Sequence, residues 1–507
     1  MSRNQPSPSA AQPTTGVTID EPADRPVAEA ADAHASTPRE PLGSRFVYLF
    51  AFSGLSNLAD GLVLVGVPLY AMTLTTSPGQ ISLVTTAVTL PWLLFGLAAG
   101  LLIDRHDRVR ILVVASLVRI AVFAGAALAA TTGALTMPLL LVLLLVLGTA
   151  EVFADGSSSA LVPDVTPRSR LAAANSRLMG VQLAANSFLG APIAGFLLAA
   201  GAGWLFGVPA GLLLASVLIV LRGLWGRVTS VHAVAETADT GSGDSGSSDA
   251  GSSDAGASST TTDDDDALHG TAAPEATVVG RSVRRELREG LTFLLRHPVI
   301  RPLVLGGMSF NFLSNAYMAV FVLWVVGPGS AVGLAPEQYG FLAMGLAAGG
   351  LTGAVLAEKI IGTGRDRTVV AVTWGACAVL LAVPALVPRV WAVAVAFALV
   401  GFFNLVGNTA TSSLRQRLVP SRILGRVQGA SATLAYGSMP LGALAGGLVA
   451  EVFGVRTLLL VVAVGTVVVA AATVRGLSQP VIDAAERDAT AAREAAQGDA
   501  TAARDRA

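Results

Sequence analysis

The chain has 507 residues, of which 53% are hydrophobic and 13% charged, about half the charged share of roughly 25% in soluble domains. A mean hydropathy of +0.64 with a net charge of −1 describes a polytopic membrane protein and excludes a basic nucleic-acid binder. A single cysteine, Cys377, excludes a disulfide framework and a thiolate metal site.

In chain order, residues 1–44 are rich in Pro, Ala, Ser and Thr and are expected to be a disordered cytoplasmic tail without a signal-peptide core. Apolar segments follow at 46–74, 81–103, 109–131, 137–162, 171–199 and 204–222, then at 300–327, 338–361, 368–387, 390–414, 424–451 and 456–475. Each is long enough for a hydrocarbon core of about 30 Å, which a helix crosses in about 20 residues. The fold class expected is therefore an all-α membrane protein of about twelve transmembrane helices. The spans group into an N-terminal bundle over 45–227 and a C-terminal bundle over 299–476. Between them lies a cytoplasmic linker, 228–298, whose middle is Gly, Ser, Asp and Ala, a flexible composition. Its end, Arg281–Pro298, carries Val283, Leu287, Leu291 and Leu294 at helical spacing, which predicts an amphipathic helix on the inner membrane surface. The tail 477–507 reads as solvated helix or disorder.

Loop charges set the orientation. Arg105, Arg108 and Arg110 follow the second segment, Arg168 and Arg170 the fourth, Lys359, Arg365 and Arg367 the eighth, and Arg415, Arg417 and Arg422 the tenth. The alternate loops are nearly free of Lys and Arg, so both termini are expected in the cytoplasm. The halves also repeat: Leu55-Ser56-Asn57 recurs as Leu313-Ser314-Asn315, and the Gly96–Gly100 spacing recurs at Gly345–Gly349. Parallel six-helix repeats are a transporter architecture with the substrate site at the repeat interface.

Ionisable residues deep in a span are costly and functional by default. Asp60, Arg119, Glu151 and Asp155 are such residues, all in the first half. At 1.5 Å per residue they fall about 10–20 Å from the inner helix ends. Glu151 and Asp155 are four apart and share a helix face. Desolvation and a neighbouring carboxylate both favour the neutral acid, which is what proton-coupled exchange needs. The competing reading is that the acids only pair with Arg119 and hold helices together. Asn57 lies on the polar face of the first segment. In the second half the matching positions are neutral: Asn311, Asn315, Asn404, Asn408 and Thr411 offer fixed hydrogen-bond groups for a substrate cavity, or packing contacts between helices.

The stretch Gly100-Leu-Leu-Ile-Asp104-Arg105-His106-Asp107-Arg108-Val109-Arg110 resembles the loop 2–3 motif of the major facilitator superfamily. Gly100, Asp104, Arg105, Arg108 and Arg110 fit it, while Asp107 stands for a usual glycine and Val109 for a usual basic residue. The resemblance implies a cytoplasmic gate that latches in the outward-facing state. Glu289–Pro298, Leu414–Pro420, Gly425-Arg426-Val-Gln and Pro440–Gly447 look like the drug, macrolide and siderophore exporters of that superfamily, and the likeness covers about residues 45 to 475. Gly190-Ala191-Pro192-Ile-Ala-Gly195 resembles an antiporter motif with one alanine inserted. It suggests helix packing and bending at Gly190, Pro192 and Gly195, with Pro440 in a like role. Many drug antiporters carry an arginine in the fourth segment; none is present here, and Arg119 is the available substitute.

No cofactor or metal is expected, since His34, His106, His232, His269 and His297 lie outside the spans and none pair at ligand spacing. No P-loop points to ATP. The expected protein is a monomeric secondary transporter of the cell (plasma or inner) membrane. It exports a small amphipathic compound, with the bilayer and protons as its other partners. An uptake or facilitated-diffusion permease of the same fold is the nearest alternative, and a non-transporting membrane sensor is the alternative from another class.

Overall fold

Within a hydrocarbon layer every backbone N–H and C=O must be paired inside the segment, and the apolar runs meet this by forming helices. The computed structural model describes residues 42–226, 288–327, 329–361, 366–487 and 490–491. Most of the first tail, the linker from 227 to 287 with the start of its amphipathic segment, and 492–507 lie outside the described residues, as do His34, His232, His269 and Arg365.

Among the described residues, twelve helices are long and apolar enough to cross a membrane. In the first half they are α1 Ser44–Leu74, α2 Pro78–Arg105, α3 Arg108–Thr131, α4 Met137–Val165, α5 Arg168–Ala200 and α6 Ala202–Gly223. In the second half they are α7 Ile300–Val325, α8 Pro336–Ile361, α9 Asp366–Leu386, α10 Val390–Leu418, α11 Ser421–Phe453 and α12 Val455–Gly476. Polar residues begin two of them as expected. Ser77 caps α2 by accepting from Gln80 N, and Asp107 caps α3 by accepting from Val109 N and Arg110 N. Single glycines join α5 to α6 and α11 to α12: Gly201 at φ 137° and Gly454 at φ 84°, backbone that a side chain would strain.

The internal repeat is visible in the packing. In each half the second helix packs on the fourth. Gly148 of α4 lies against the Val88 carbonyl of α2, and its repeat partner Gly401 of α10 lies against Leu346 of α8. Between halves, α2 packs on α11 and α5 on α8.

Both contacts are tight at one end, and the α2–α11 contact opens toward the other. At the arginine-poor end Gly340 of α8 sits on the Ala191 carbonyl, Gly195 of α5 on Pro336 and Glu337, and Gly447 of α11 on Ser82. Glu451 of α11 accepts from Ser77 Oγ at 2.8 Å and from Gly79 N at 2.9 Å, so it caps the first turn of α2 across the interface. Toward the arginine-rich end, Gly96 and Gly100 of α2 and Gly425 and Gly429 of α11 face open space. The halves are closed at the arginine-poor end and splayed at the arginine-rich end.

Three expectations change. First, α10 runs to Leu418, past the apolar boundary at 414, which brings Arg415 and Arg417 into the helix. Second, the described part of the amphipathic segment is a helix over 288–296, but it docks on protein. Leu294 is buried with Leu414, Leu418 and Val427, Glu289 pairs with Arg426 at 2.8 Å, and a Cβ on Gly290 would overlap the Arg426 carbonyl. Third, the start of the last tail, helical over 479–487, is solvated on one side and buries two residues on the other. Leu477 and Ile482 join the same buried cluster, and Glu486 pairs with Arg417 at 3.2 Å. In both cases a single apolar stripe finds the end of a helix bundle and removes itself from water there.

Candidate functional site

The first half gathers its buried charges. Arg119 of α3 is fully buried, and its guanidinium forms an ion pair with Asp60 of α1 and donates to Ser56 Oγ at 2.9 Å. Glu151 and Asp155 of α4 lie within electrostatic reach of the same guanidinium and of Asp60. One cation thus sits among three carboxylates from two other helices. Breaking such a pair by removing one partner costs about 3–5 kcal/mol, because the other charge stays buried. The cluster is a set of three acids around one buried counter-charge, with Asp60 in direct contact with it.

The neutral residues of the second half separate into two groups. Asn311, Asn404, Asn408 and Thr411 line a cavity of about 490 Å³ with Trp374, Gln428 and Tyr436. Tyr436 stacks on Trp92 of α2, ring centroids 5.7 Å apart, so the cavity borders the first half. Asn57 and Asn315 are not among its lining residues. Each turns its amide back on its own helix, Asn57 Nδ2 to Ser53 O at 2.8 Å and Asn315 Nδ2 to Asn311 O at 3.0 Å. That is the behaviour of an amide one turn from an accessible carbonyl. The pair keeps its repeat relation in this bond rather than in a cavity.

In the loop between α2 and α3, the contacts found lie within the first half. Arg108 donates to Asp164 at 2.8 Å and to the Ala160 carbonyl, both on α4. Asp104 is 71% exposed, with Arg108 at 3.8 Å, and Arg105 is exposed. Arg110 keeps to Asp107 at 3.5 Å. The departure Asp107 is explained by its work as the α3 cap, which a glycine side chain cannot do. The repeat supplies a counterpart with the charges exchanged: Asp366 at the start of α9 pairs with Arg417 at the end of α10, 2.6 Å apart. Near Pro192, α5 passes through a π-helical stretch, Ala184–Gly190, as expected where a proline removes a backbone donor. Gly190 there lies on the backbone of Gly61, and Pro440 sits inside a continuous α11.

Sequence reasoning passed over Asp164, Asp366 and Glu451, and it read Arg415 as a loop charge. The signal for Asp164 and Asp366 was their place at helix ends opposite an arginine in the same half.

The family model described as Major Facilitator Superfamily matches residues 49–324, and that described as Transmembrane secretion effector matches residues 269–506. The chain belongs to the major facilitator superfamily. An uncharacterized MFS-type transporter of Mycobacterium tuberculosis is 37% identical over 139 residues, 27% of this chain and 31% of that protein. The multidrug efflux pump Tap of Mycolicibacterium fortuitum is 27% identical over 193 residues, 37% of this chain and 45% of Tap. These matches therefore span less than half of either relative. Among solved structures, a point mutant of the nucleoside transporter NupG is similar at a TM-score of 0.61 and 13% identity, covering 86% of this chain and 100% of that one. A bacterial homologue of the iron transporter ferroportin, in an inward-facing state, is similar at 0.58 and 16% identity, covering 85% and 98%. They establish the fold. The relatives matched are transporters rather than enzymes, and the chain is a multi-pass membrane protein of their superfamily.

Proposed function

We propose that this transporter exports a small amphipathic compound across the plasma (inner) membrane in exchange for protons. Both termini and the arginine-rich end are cytoplasmic in this reading, by the positive-inside asymmetry of the short loops. The captured state is then inward-open. Residues 45–227 and 299–476 rock as two bodies, with substrate entering from the cytoplasm between them.

The observation that carries the reading is the fully buried Arg119 among Asp60, Glu151 and Asp155. Asp60, Glu151 and Asp155 are the proton-exchanging groups, and Arg119 is the counter-charge that keeps the empty cluster tolerable in a low dielectric. The amides of the second half hold polar groups of the substrate. Closure of the cytoplasmic end brings Gly100–Arg110 against the second half, where Asp104 finds a closer partner than it has in the open state. The likeness to Tap, a multidrug efflux pump, supports export as the direction.

The test is efflux from cells carrying Asp60→Asn or Glu151→Gln, with membrane levels checked by blotting. Both variants are expected to reach the membrane and to lose proton-dependent efflux. Wild-type efflux by both would remove the coupling assignment.

A further inference from the structure

Four residues spaced 4, 3 and 4 apart, Asn404, Asn408, Thr411 and Arg415, run down one face of α10 and line the second-half cavity. The run ends in a guanidinium. Arg415 is the charged member among the described residues lining that cavity, and its Nε is buried without a hydrogen-bond partner. Arg119 and Arg170 also bury an Nε without a partner, but three other arginines at this end form ion pairs through their terminal nitrogens. Arg108 holds Asp164, Arg417 holds Asp366 and Glu486, and Arg426 holds Glu289. A buried donor left unmatched costs about 1–3 kcal/mol, more for a charged group, so an acceptor entering the cavity would be favoured beside Arg415. The opposite flank is aromatic. Trp374 and Phe310 lie with ring centroids 6.0 Å apart, and Tyr436 closes the side toward the first half. The volume of about 490 Å³ suits a compound of one or two fused rings.

We propose that this cavity is the substrate subsite for an aromatic oxyanion, a ring system bearing a carboxylate or sulfonate, with Arg415 binding the anionic group and α10 amides meeting its neutral polar atoms. The guanidinium fork matches two oxygens of such a group at once, which a lysine ammonium does not. The inference rests on the export reading for its physiological meaning. The anion preference is that of the second-half cavity, whose lining among the described residues carries Arg415 and no carboxylate.

The test uses two probes that differ by one sulfonate, anilinonaphthalenesulfonate and the neutral phenylnaphthylamine. They are titrated against the full chain in phosphatidylcholine nanodiscs by quenching of tryptophan fluorescence. The wild type is expected to bind the sulfonate more tightly. Arg415→Gln is expected to weaken the sulfonate by about tenfold or more and the neutral probe by no more than about twofold, the size of one charge-assisted hydrogen bond. Arg415→Lys is expected to fall between them. Asn408→Leu, which fills the cavity without touching charge, is expected to weaken both probes together. Equal loss of both probes in Arg415→Gln, no loss of either, or unchanged binding of both in Asn408→Leu would overturn the proposal. The two readings fail separately. Proton-coupled efflux with no preference for the sulfonate removes the subsite and leaves export standing. Arg415-dependent sulfonate binding without proton-coupled efflux of any compound does the reverse.

Discussion

At the scale of single residues, the account turns on one buried guanidinium. Arg119→Met leaves Asp60 without its counter-charge and is expected to destabilise the protein by about 3–5 kcal/mol, read as a lowered thermal midpoint of the purified protein. Asp60→Asn removes the charge that Arg119 neutralises, and the double variant is expected to recover most of the Arg119→Met loss. A double variant no more stable than Arg119→Met would show that the pair is not coupled. The positions of the acids were legible in the sequence, because a carboxylate in a run as apolar as Met137–Val165 stands out. Their contacts were not, since spacing along one helix says nothing about which of the other helices it faces. Arg415 was misplaced for a related reason. The stretch from Asn408 to Arg417 is polar, so its hydropathy falls before the helix ends, and a cavity-lining arginine reads as a loop charge.

Among the elements, the two ends of α2 are held differently. Glu451 caps α2 from the other half, while Asp104 at the far end of α2 is largely exposed in this state. Both Glu451 hydrogen bonds cross from one half to the other, so they are lost when the arginine-poor end separates. Glu451→Gln is therefore expected to populate the form open at the arginine-poor end. Spin labels on Thr132 and Ser330, placed in a Cys377→Ser background, would report this as a longer distance component. An unchanged distribution would remove Glu451 from the gate. His297, outside the spans, accepts at Nδ1 from Val299 N and Ile300 N, each 3.3 Å away, and so caps α7. Burial holds its pKa below the ordinary histidine value. The folded state thus binds the proton less well than the unfolded one. The stability gained is complete above about pH 6.5 and is lost as pH falls through the folded value. His297→Asn is expected to flatten the thermal midpoint between about pH 5 and 7. A slope that persists unchanged would assign the effect elsewhere. The helix count and the repeat were readable because loop charges alternate. The docking of 288–296 and of Ile482 was not, because an amphipathic stripe looks the same whether it meets lipid or a bundle end.

For the whole molecule, the two halves share a fold but not a chemistry. The first half holds its buried charge in the cluster of Arg119, Asp60, Glu151 and Asp155. The second holds neutral hydrogen-bond groups around a cavity with one arginine at its edge. Alternating access follows if the tight contacts at the arginine-poor end and the latch at the other end are never made together. Superfamily membership was legible from Gly100–Arg110 before any coordinates. Which end is open was not, since the same glycines can face a neighbour or an opening. The most direct test of the central claim is proton movement itself. Proteoliposomes carrying a trapped pH-sensitive dye are loaded with a compound that expressing cells extrude, then diluted to create an outward gradient. The account predicts that the interior acidifies as the compound leaves, and that Asp60→Asn and Glu151→Gln abolish the signal. Compound efflux at wild-type rate with no change in internal pH would contradict it.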